Sequence, residues 1–330
     1  MKVQELRQLL SSVDRVLLEK AFVESYKQFP KAKKEEVDGI IFEVLQGTAK
    51  SSEKKAGDLD FDTLNTEIVE FLENAYAQNY FAPNRFVPKS KRPKWRFMVK
   101  NYMKALEKIP AGDGNYARAV ELLTDLYAML CYACSYYLFS TDDPFRSVGW
   151  KQPELFNLVA KKAFEGGYTR ENITDMIIAA AQDGLSREAL HEMQLVVLCN
   201  RLETEEAKRM ALDIARELRR QGCEKLEKSG SQDAYFINER KNTLCSLVLL
   251  LGIVLGEPGE NVVFFFKYCM EWDKEIILYR ALDLADWAGG DDQLWVDIYK
   301  YGLKQKIKPR EALVKEYKER REHLSAQKSE

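Results

Sequence analysis

The sequence predicts an all-α protein. Three observations favour this class: apolar residues return every three or four positions, no segment alternates polar and apolar residues between hairpin turns, and glycines recur near predicted helix ends. A half-buried strand would need the period of two that is missing here, whereas the helical period is strong. We therefore expect helices joined by turns, without a sheet.

The apolar stripes place the helices in order along the chain. The first lies at 17–29 and ends at Pro30. Strong stripes follow at 61–76 and 95–109, where Phe71 and Trp95 are the largest side chains. Further helices are predicted at 33–46, 114–139, 152–165, 170–183, 187–201, 205–221, 234–255, 260–271, 273–287, 292–304 and 309–326.

The glycines suggest how these helices are grouped. Six of them recur at intervals of 34 to 38 residues: Gly112, Gly149, Gly184, Gly222, Gly256 and Gly290. Two short helices with two turns need about that length, and glycine suits the left-handed residue after a helix. The expected architecture is an array of antiparallel helix pairs, an α-α superhelix of the HEAT or TPR type. Because no side-chain consensus accompanies the glycines, an irregular multi-helix bundle is the alternative.

Two polar stretches, 47–60 and 223–233, are predicted to be loops or linkers. The second separates an N-terminal helical array, residues 1–222, from a C-terminal helical segment, residues 234–330. Helical periodicity resumes directly after the second stretch. We therefore expect the C-terminal segment to continue the array.

Composition limits the possible partners and compartments. Of the 330 residues, 46% are hydrophobic, which can support a large core, and the net charge of −2 excludes a uniformly basic nucleic-acid coat. The N-terminus has no apolar core of signal-peptide type, and the longest apolar run, 244–255, is too short to cross a bilayer. Six cysteines without a signal peptide indicate reduced thiols. We expect a cytoplasmic protein without a membrane partner.

The most distinctive segment is basic and contains no acid. Its eight cations are Arg85, Lys89, Lys91, Arg92, Lys94, Arg96, Lys100 and Lys104. Prolines keep its first half extended, whereas Arg96, Lys100 and Lys104 share one face of the following helix. This pattern predicts an anion or nucleic-acid surface, on which Phe86 or Trp95 stacks with a base.

The alternative for the same segment is a solvated crossover. Trp95 and Phe97 are then packing anchors, and the acid-rich segment 58–73 balances the positive charge. Both interpretations stay open at this point.

The opening LRQLLSSVDRVLLEKAFVESYKQFP and the later NYFAPNRFVPKSKRP carry a family resemblance. On these residues the first two-thirds of the chain resembles a family of uncharacterised bacterial all-helical proteins, known as a domain of unknown function. The resemblance implies an all-helical cytoplasmic protein with a basic Asn-Arg…Pro-Lys crossover. It implies no activity, cofactor or catalytic residue.

Other chemically reactive residues are interpreted as structural. Cys131 and Cys134 form a C-x-x-C inside an apolar helix, where small core side chains are expected. His191 is predicted to be a surface residue beside helical ion-pair partners, and His323 to lie in a frayed tail. The aspartates around Gly289 and Gly290 are predicted to cap the next helix.

These observations favour a non-enzymatic, helical-repeat-like interaction or scaffold protein. No catalytic, metal or cofactor signature is present in the sequence, so we expect no cofactor. A protein is the expected partner. The alternatives are nucleic-acid or polyanion binding through 85–104, and a helical-array enzyme such as a DNA repair glycosylase.

Overall fold

The computed structural model describes residues 13–30, 34, 37–38, 41, 60–84, 86–228 and 234–327. In this part of the chain there are fourteen α-helices and no β-strand, which confirms the all-α prediction. Two compact units are present, Met1–Asp60 and Phe61–Glu330. The second unit spans both segments that the sequence separates at 222 and 234.

The first unit contributes one described helix, α1. It runs over Arg15–Lys27 and ends before Pro30, as its apolar stripe predicts. Inside this unit the Tyr26 hydroxyl donates to the Asp38 carboxylate over 2.5 Å. Of the predicted helix at 33–46 only residues 34, 37–38 and 41 are described, and these are helical. Of the predicted loop at 47–60 only Asp60 is described.

The second unit contains thirteen described helices. They are α2 Phe61–Tyr76, α3 Trp95–Glu107, α4 Tyr116–Ser135, α5 Pro144–Val148, α6 Gln152–Phe164, α7 Arg170–Ala180, α8 His191–Arg201, α9 Glu205–Lys228, α10 Ala234–Val254, α11 Pro258–Tyr268, α12 Lys274–Trp287, α13 Asp292–Lys304 and α14 Glu311–Gln327. A single 3-10 turn, Arg92–Lys94, leads into α3. Among these described helices, none has both the length and the apolar character that a membrane crossing needs.

Helices pack mainly against near neighbours in chain order. From α4 to α12 each even-numbered helix contacts the next even-numbered one, and α7, α9, α11 and α13 each contact an even-numbered neighbour. A continuous apolar core runs through the unit, with Tyr127, Phe156, Phe265 and Trp295 almost fully buried. Contacts between helices that are one or two positions apart in chain order are expected of stacked helix pairs. The solenoid arrangement itself stays a prediction.

The glycine spacing corresponds only partly to helix ends. Gly149, Gly184 and Gly256 have positive φ angles, of 82°, 94° and 74°, as expected after a helix. At the next turn Gly289 takes this conformation instead of Gly290. Gly222 lies inside α9, which continues into the predicted linker as far as Lys228. The prediction that a linker begins at 223 is therefore wrong, because a polar sequence can continue a helix on its solvent side.

The short helix α5 is absent from the elements that the apolar period predicts. It has only five residues, too few to show an apolar stripe, but its start follows from its sequence. Asp143 caps it by accepting a hydrogen bond from the Arg146 N–H over 3.0 Å, and Pro144 occupies the first turn. This helix positions Thr141 and Ser147 beside the basic segment.

Candidate anion-binding site

The basic segment begins in a crossover between α2 and α3. Hydrogen bonds between side chains and the backbone hold this crossover in place. The Arg92 guanidinium donates to the carbonyls of Val87, at 2.7 Å, and Ala82, at 3.0 Å. The Ala82 N–H in turn donates to the Ser140 hydroxyl at 3.1 Å. A single arginine thereby holds the crossover together beside the loop after α4. Arg85, the first predicted cation, lies outside the described residues.

Trp95 anchors the start of α3 in the core. Its side chain is 6% exposed, and its ring stacks on Phe139 with centroids 3.8 Å apart and planes 11° from parallel. This packing occupies a ring face, so Trp95 acts as a packing anchor. Trp95 also lines the pocket described below, and its stacking with a base stays a prediction. The exposed rings of the segment are Phe86, at 77%, and Phe97, at 58%.

The described cations of this segment have no acidic partner. Lys89, Lys91, Lys94, Arg96 and Lys104 are exposed, and Arg92 and Lys100 are half-buried. Within the described part of the chain, no carboxylate forms an ion pair with any of these seven side chains, those of α2 included. The described part of the acid-rich segment 58–73, which begins at Asp60, therefore does not balance this charge through ion pairs.

Three of the predicted cations meet at a pocket of about 440 Å³ between the crossover and the loop before α5. Lys89, Arg92 and Arg96 line one side of it, and Ser140 and Ser147 line the other. Thr141 also lines the pocket, and its hydroxyl lies 2.7 Å from that of Ser147. The Thr141 and Ser147 hydroxyls also lie within hydrogen-bond distance of the Asp143 carbonyl, so the cationic side chains are what suits this polar pocket to a phosphate or another oxyanion.

The three cations that share one face of α3, Arg96, Lys100 and Lys104, lie in different environments. Arg96 lines the pocket, whereas the Lys100 ammonium lies about 3.6 Å from where a Cβ on Gly149 would stand, at the C-terminal end of α5. A cation there complements the partial negative charge of a helix end. Lys104 is exposed, as are Lys91 and Lys94, and none of these three lines the pocket. Of the three cations on this face, Arg96 therefore faces the pocket, Lys100 makes a structural contact and Lys104 faces solvent.

The hydroxyl side of the pocket is not evident from the sequence. Ser140, Thr141 and Ser147 lie more than forty residues after the basic crossover, and only the packing of α3 on α4 and α5 brings them together. The available signal is the Asp-Pro pair at 143–144, which marks a helix start. It locates the loop without showing what the loop faces.

The C-x-x-C lies within α4, as predicted. Cys131 is fully buried, and burial raises the pKa of its thiol well above the ordinary value. Burial also raises the pKa of Cys134 to about 12. Both thiols are protonated near neutral pH and act as small core side chains. Among the described residues, no group of three or more His, Cys, Asp or Glu side chains is placed to hold a metal ion.

Both histidines differ from their predictions. His191 is half-buried at the start of α8, its Nδ1 has no hydrogen-bond partner, and burial lowers its pKa. Its neighbour Glu192 pairs with Arg280 instead, at 3.4 Å. The prediction of a surface histidine beside ion-pair partners is therefore wrong. His323 lies within α14 and contacts the Asp292 carboxylate at 2.6 Å, so the predicted frayed tail is helical here.

The aspartates near Gly289 and Gly290 have structural roles. Asp291 caps α13 by accepting from the Leu294 N–H at 2.8 Å, which confirms the predicted cap. Asp286 and Asp292 pair with Arg320 of α14, at 3.0 and 3.2 Å. These three carboxylates are thus engaged in a helix cap and in ion pairs between helices.

Comparison of the chain with protein-family models, curated proteins and solved structures gives no match. The resemblance of the first two-thirds to a domain family therefore stays a prediction. Function is inferred from the geometry of the basic segment.

Proposed function

We propose that this chain is a non-enzymatic, helical-repeat-like interaction protein that binds the phosphate backbone of a nucleic acid through its basic segment. The observation that carries the proposal is the set of seven described cations without an acidic partner, three of them around a pocket that hydroxyl groups also line. A local cluster of cations without balancing acids attracts a polyanion. The chain as a whole carries a net charge of −2, so the attraction is local.

Two exposed rings extend this proposal to the bases. Phe86 and Phe97 flank the cations, and the Arg96 guanidinium lies 5.0 Å from the centroid of the Phe97 ring. Aromatic rings beside a cationic groove stack on bases with little sequence preference. We propose that these two rings take the stacking role, because Trp95 is buried.

A cytoplasmic location belongs to the same proposal. The five cysteines whose side chains the structure describes, Cys131, Cys134, Cys199, Cys245 and Cys269, are free thiols. Reduced thiols are typical of a reducing compartment, in which nucleic acids are also available.

The direct experiment removes four exposed cations. Lys89, Lys91, Lys94 and Arg96 are changed to Gln, whereas Arg92 and Lys100 are kept because they lie against neighbouring backbone. We expect this variant to bind both a labelled duplex and a labelled single strand of DNA or RNA at least about tenfold more weakly, measured by fluorescence anisotropy.

The matched control changes four other exposed lysines to Gln: Lys161, Lys304, Lys308 and Lys318. It loses the same amount of positive charge at scattered positions, so its affinity should stay close to that of the native chain. Equal affinity of the two variants would reject the basic segment as the binding surface.

The two other functional predictions have their own tests. A protein scaffold predicts partners that survive nuclease treatment in a pull-down, whereas nucleic-acid binding predicts that the captured material is nuclease-sensitive. A glycosylase predicts release of a base from alkylated DNA. Both stay predictions.

A further inference from the structure

A second pocket, of about 490 Å³, opens where the C-terminal ends of α4 and α7 meet α9 and α10. It shares no lining residue with the pocket of the basic segment. Its volume lies within the range of pockets that hold small molecules. Nothing in the sequence indicates it, because only α9 and α10 of its four helices are consecutive in the chain.

One wall of this pocket is aromatic and apolar. Tyr132 and Tyr136 stack with ring centroids 4.3 Å apart and planes 18° from parallel. Both remain partly exposed, at 39% and 45%, as do Phe236, at 37%, and Ile178, at 40%. Four large apolar side chains that share one concave surface are suited to a planar apolar group.

The pocket also contains a buried cation. Lys241 is 6% exposed, and its ammonium makes one long hydrogen bond, 3.4 Å to the Asn238 side chain. Among the residues that the structure describes, no carboxylate pairs with it. Asp183, the acid of the pocket, is engaged by Arg240 at 3.1 Å. A buried ammonium with donors to spare is costly unless an anion joins it.

The helix α9 makes room for this lysine. Gly222 lies within α9, where glycine is less favourable than alanine because it loses more backbone freedom on folding. A Cβ at this position would lie 3.2 Å from Lys241 Cγ, closer than an ordinary contact. The missing side chain therefore lets the lysine stem lie close against α9 in the pocket wall.

We propose that this pocket binds a small molecule that carries a planar apolar group and one anionic group, a carboxylate or a phosphate. The anion pairs with Lys241, and the apolar group packs on Tyr132, Tyr136 and Phe236. Because Arg240 and Asp183 neutralise each other, the charge of Lys241 selects an anion over a neutral molecule of the same shape.

The experiment uses three related probes on the full chain: 2-naphthoate, 2-naphthyl phosphate and the neutral 2-naphthamide, titrated by calorimetry. In the native chain we expect at least one anion to bind about tenfold or more tightly than the amide. The two anions differ in their acidic group, so their ranking identifies which group the pocket prefers. No anion binding at millimolar concentration, or anions no tighter than the amide, would overturn the proposal.

The variant Lys241→Met separates the contribution of the lysine charge to binding from that of the apolar wall. It should lower anion affinity to the level of the amide and leave amide binding unchanged, whereas the exposed-site control Lys161→Met should change neither. If Lys241→Met does not fold, Phe236→Ala serves instead and should weaken all three probes. Unchanged affinities in the folded variant contradict the proposal. Duplex binding should be unaffected by Lys241→Met, so this test is independent of the basic segment.

Discussion

At the scale of single residues, the two most informative positions are glycines with the same backbone conformation. Gly184 and Gly167 have φ angles of 94° and 99°. A Cβ at Gly184 would lie 2.0 Å from the Cys131 carbonyl oxygen, whereas a Cβ at Gly167 meets nothing within 4 Å. The first is constrained by conformation and by packing, the second by conformation alone.

We predict that Gly184→Ala destabilises the chain far more than Gly167→Ala. The left-handed conformation costs an alanine about 1–2 kcal/mol at either position, and at Gly184 a backbone collision adds about 1–3 kcal/mol. Urea unfolding followed by circular dichroism measures both. Equal losses would show that α4 does not approach the turn after α7 this closely.

The thiols of the C-x-x-C give a second prediction at this scale. Because burial raises the pKa of Cys134 to about 12 and that of Cys131 further, the thiolate fraction at pH 8 is on the order of one in ten thousand or less. Alkylation of Cys131 and Cys134 by iodoacetamide, followed by mass spectrometry of the peptide that carries them, should be slow in the native chain. Its rate should increase about tenfold for each unit of pH. Rapid labelling at pH 7, comparable to that in urea, would contradict the buried positions.

At the scale of elements, one arginine connects three parts of the second unit. Arg280 of α12 pairs with Glu192 of α8, at 3.4 Å, and with Glu271 before α12, at 3.1 Å. The side chains are 21%, 18% and 14% exposed. Glu239 of α10 lies near them, and its pKa is raised by burial and then by the charge of Glu271.

We predict that Arg280→Met lowers the free energy of unfolding by about 2–4 kcal/mol at pH 7, because it leaves two largely buried carboxylates without a cationic partner. In the variant the pKa of Glu239, which burial already raises, should rise further because the charge of Arg280 no longer lowers it, so the loss develops as pH rises and shrinks as pH falls from 7 towards 5. Thermal melts across this range measure it.

The matched control is Arg209→Met. Arg209 also bridges two glutamates, Glu205 and Glu257, both at 2.8 Å, but on the exposed surface. Solvent screens these charges, so we expect a much smaller loss with little dependence on pH. A loss at Arg280 no larger than at Arg209 would reject the structural role of the buried network.

Element boundaries show what the sequence can and cannot predict. Long stripes such as 61–76 and 292–304 correspond to α2 and α13 residue for residue, because each has one buried face and a clear stop. The five-residue α5 and the polar end of α9 escape prediction, because neither shows an apolar period. Local pattern determines long amphipathic helices better than short helices or helix ends of polar sequence.

At the scale of the molecule, fold class follows from periodicity, whereas the two proposed binding surfaces follow from it only in part. The basic segment is visible because its cations are close together in the chain. The hydroxyls facing it, and the whole pocket around Lys241, come from helices that only tertiary packing brings together. Pattern within a sequence cannot place such residues, since their distance in the chain carries no information about their distance in space.

The most direct test of the proposed function is the dependence of duplex binding on salt. Each phosphate contact contributes about −0.9 to the slope of log affinity against log salt concentration, so the native chain should show a steep slope. Changing Lys89, Lys91, Lys94 and Arg96 to Gln should make that slope shallower by about three to four, and the scattered four-lysine control should not. A native slope near zero, or the same slope in all three proteins, would contradict phosphate binding by the basic segment.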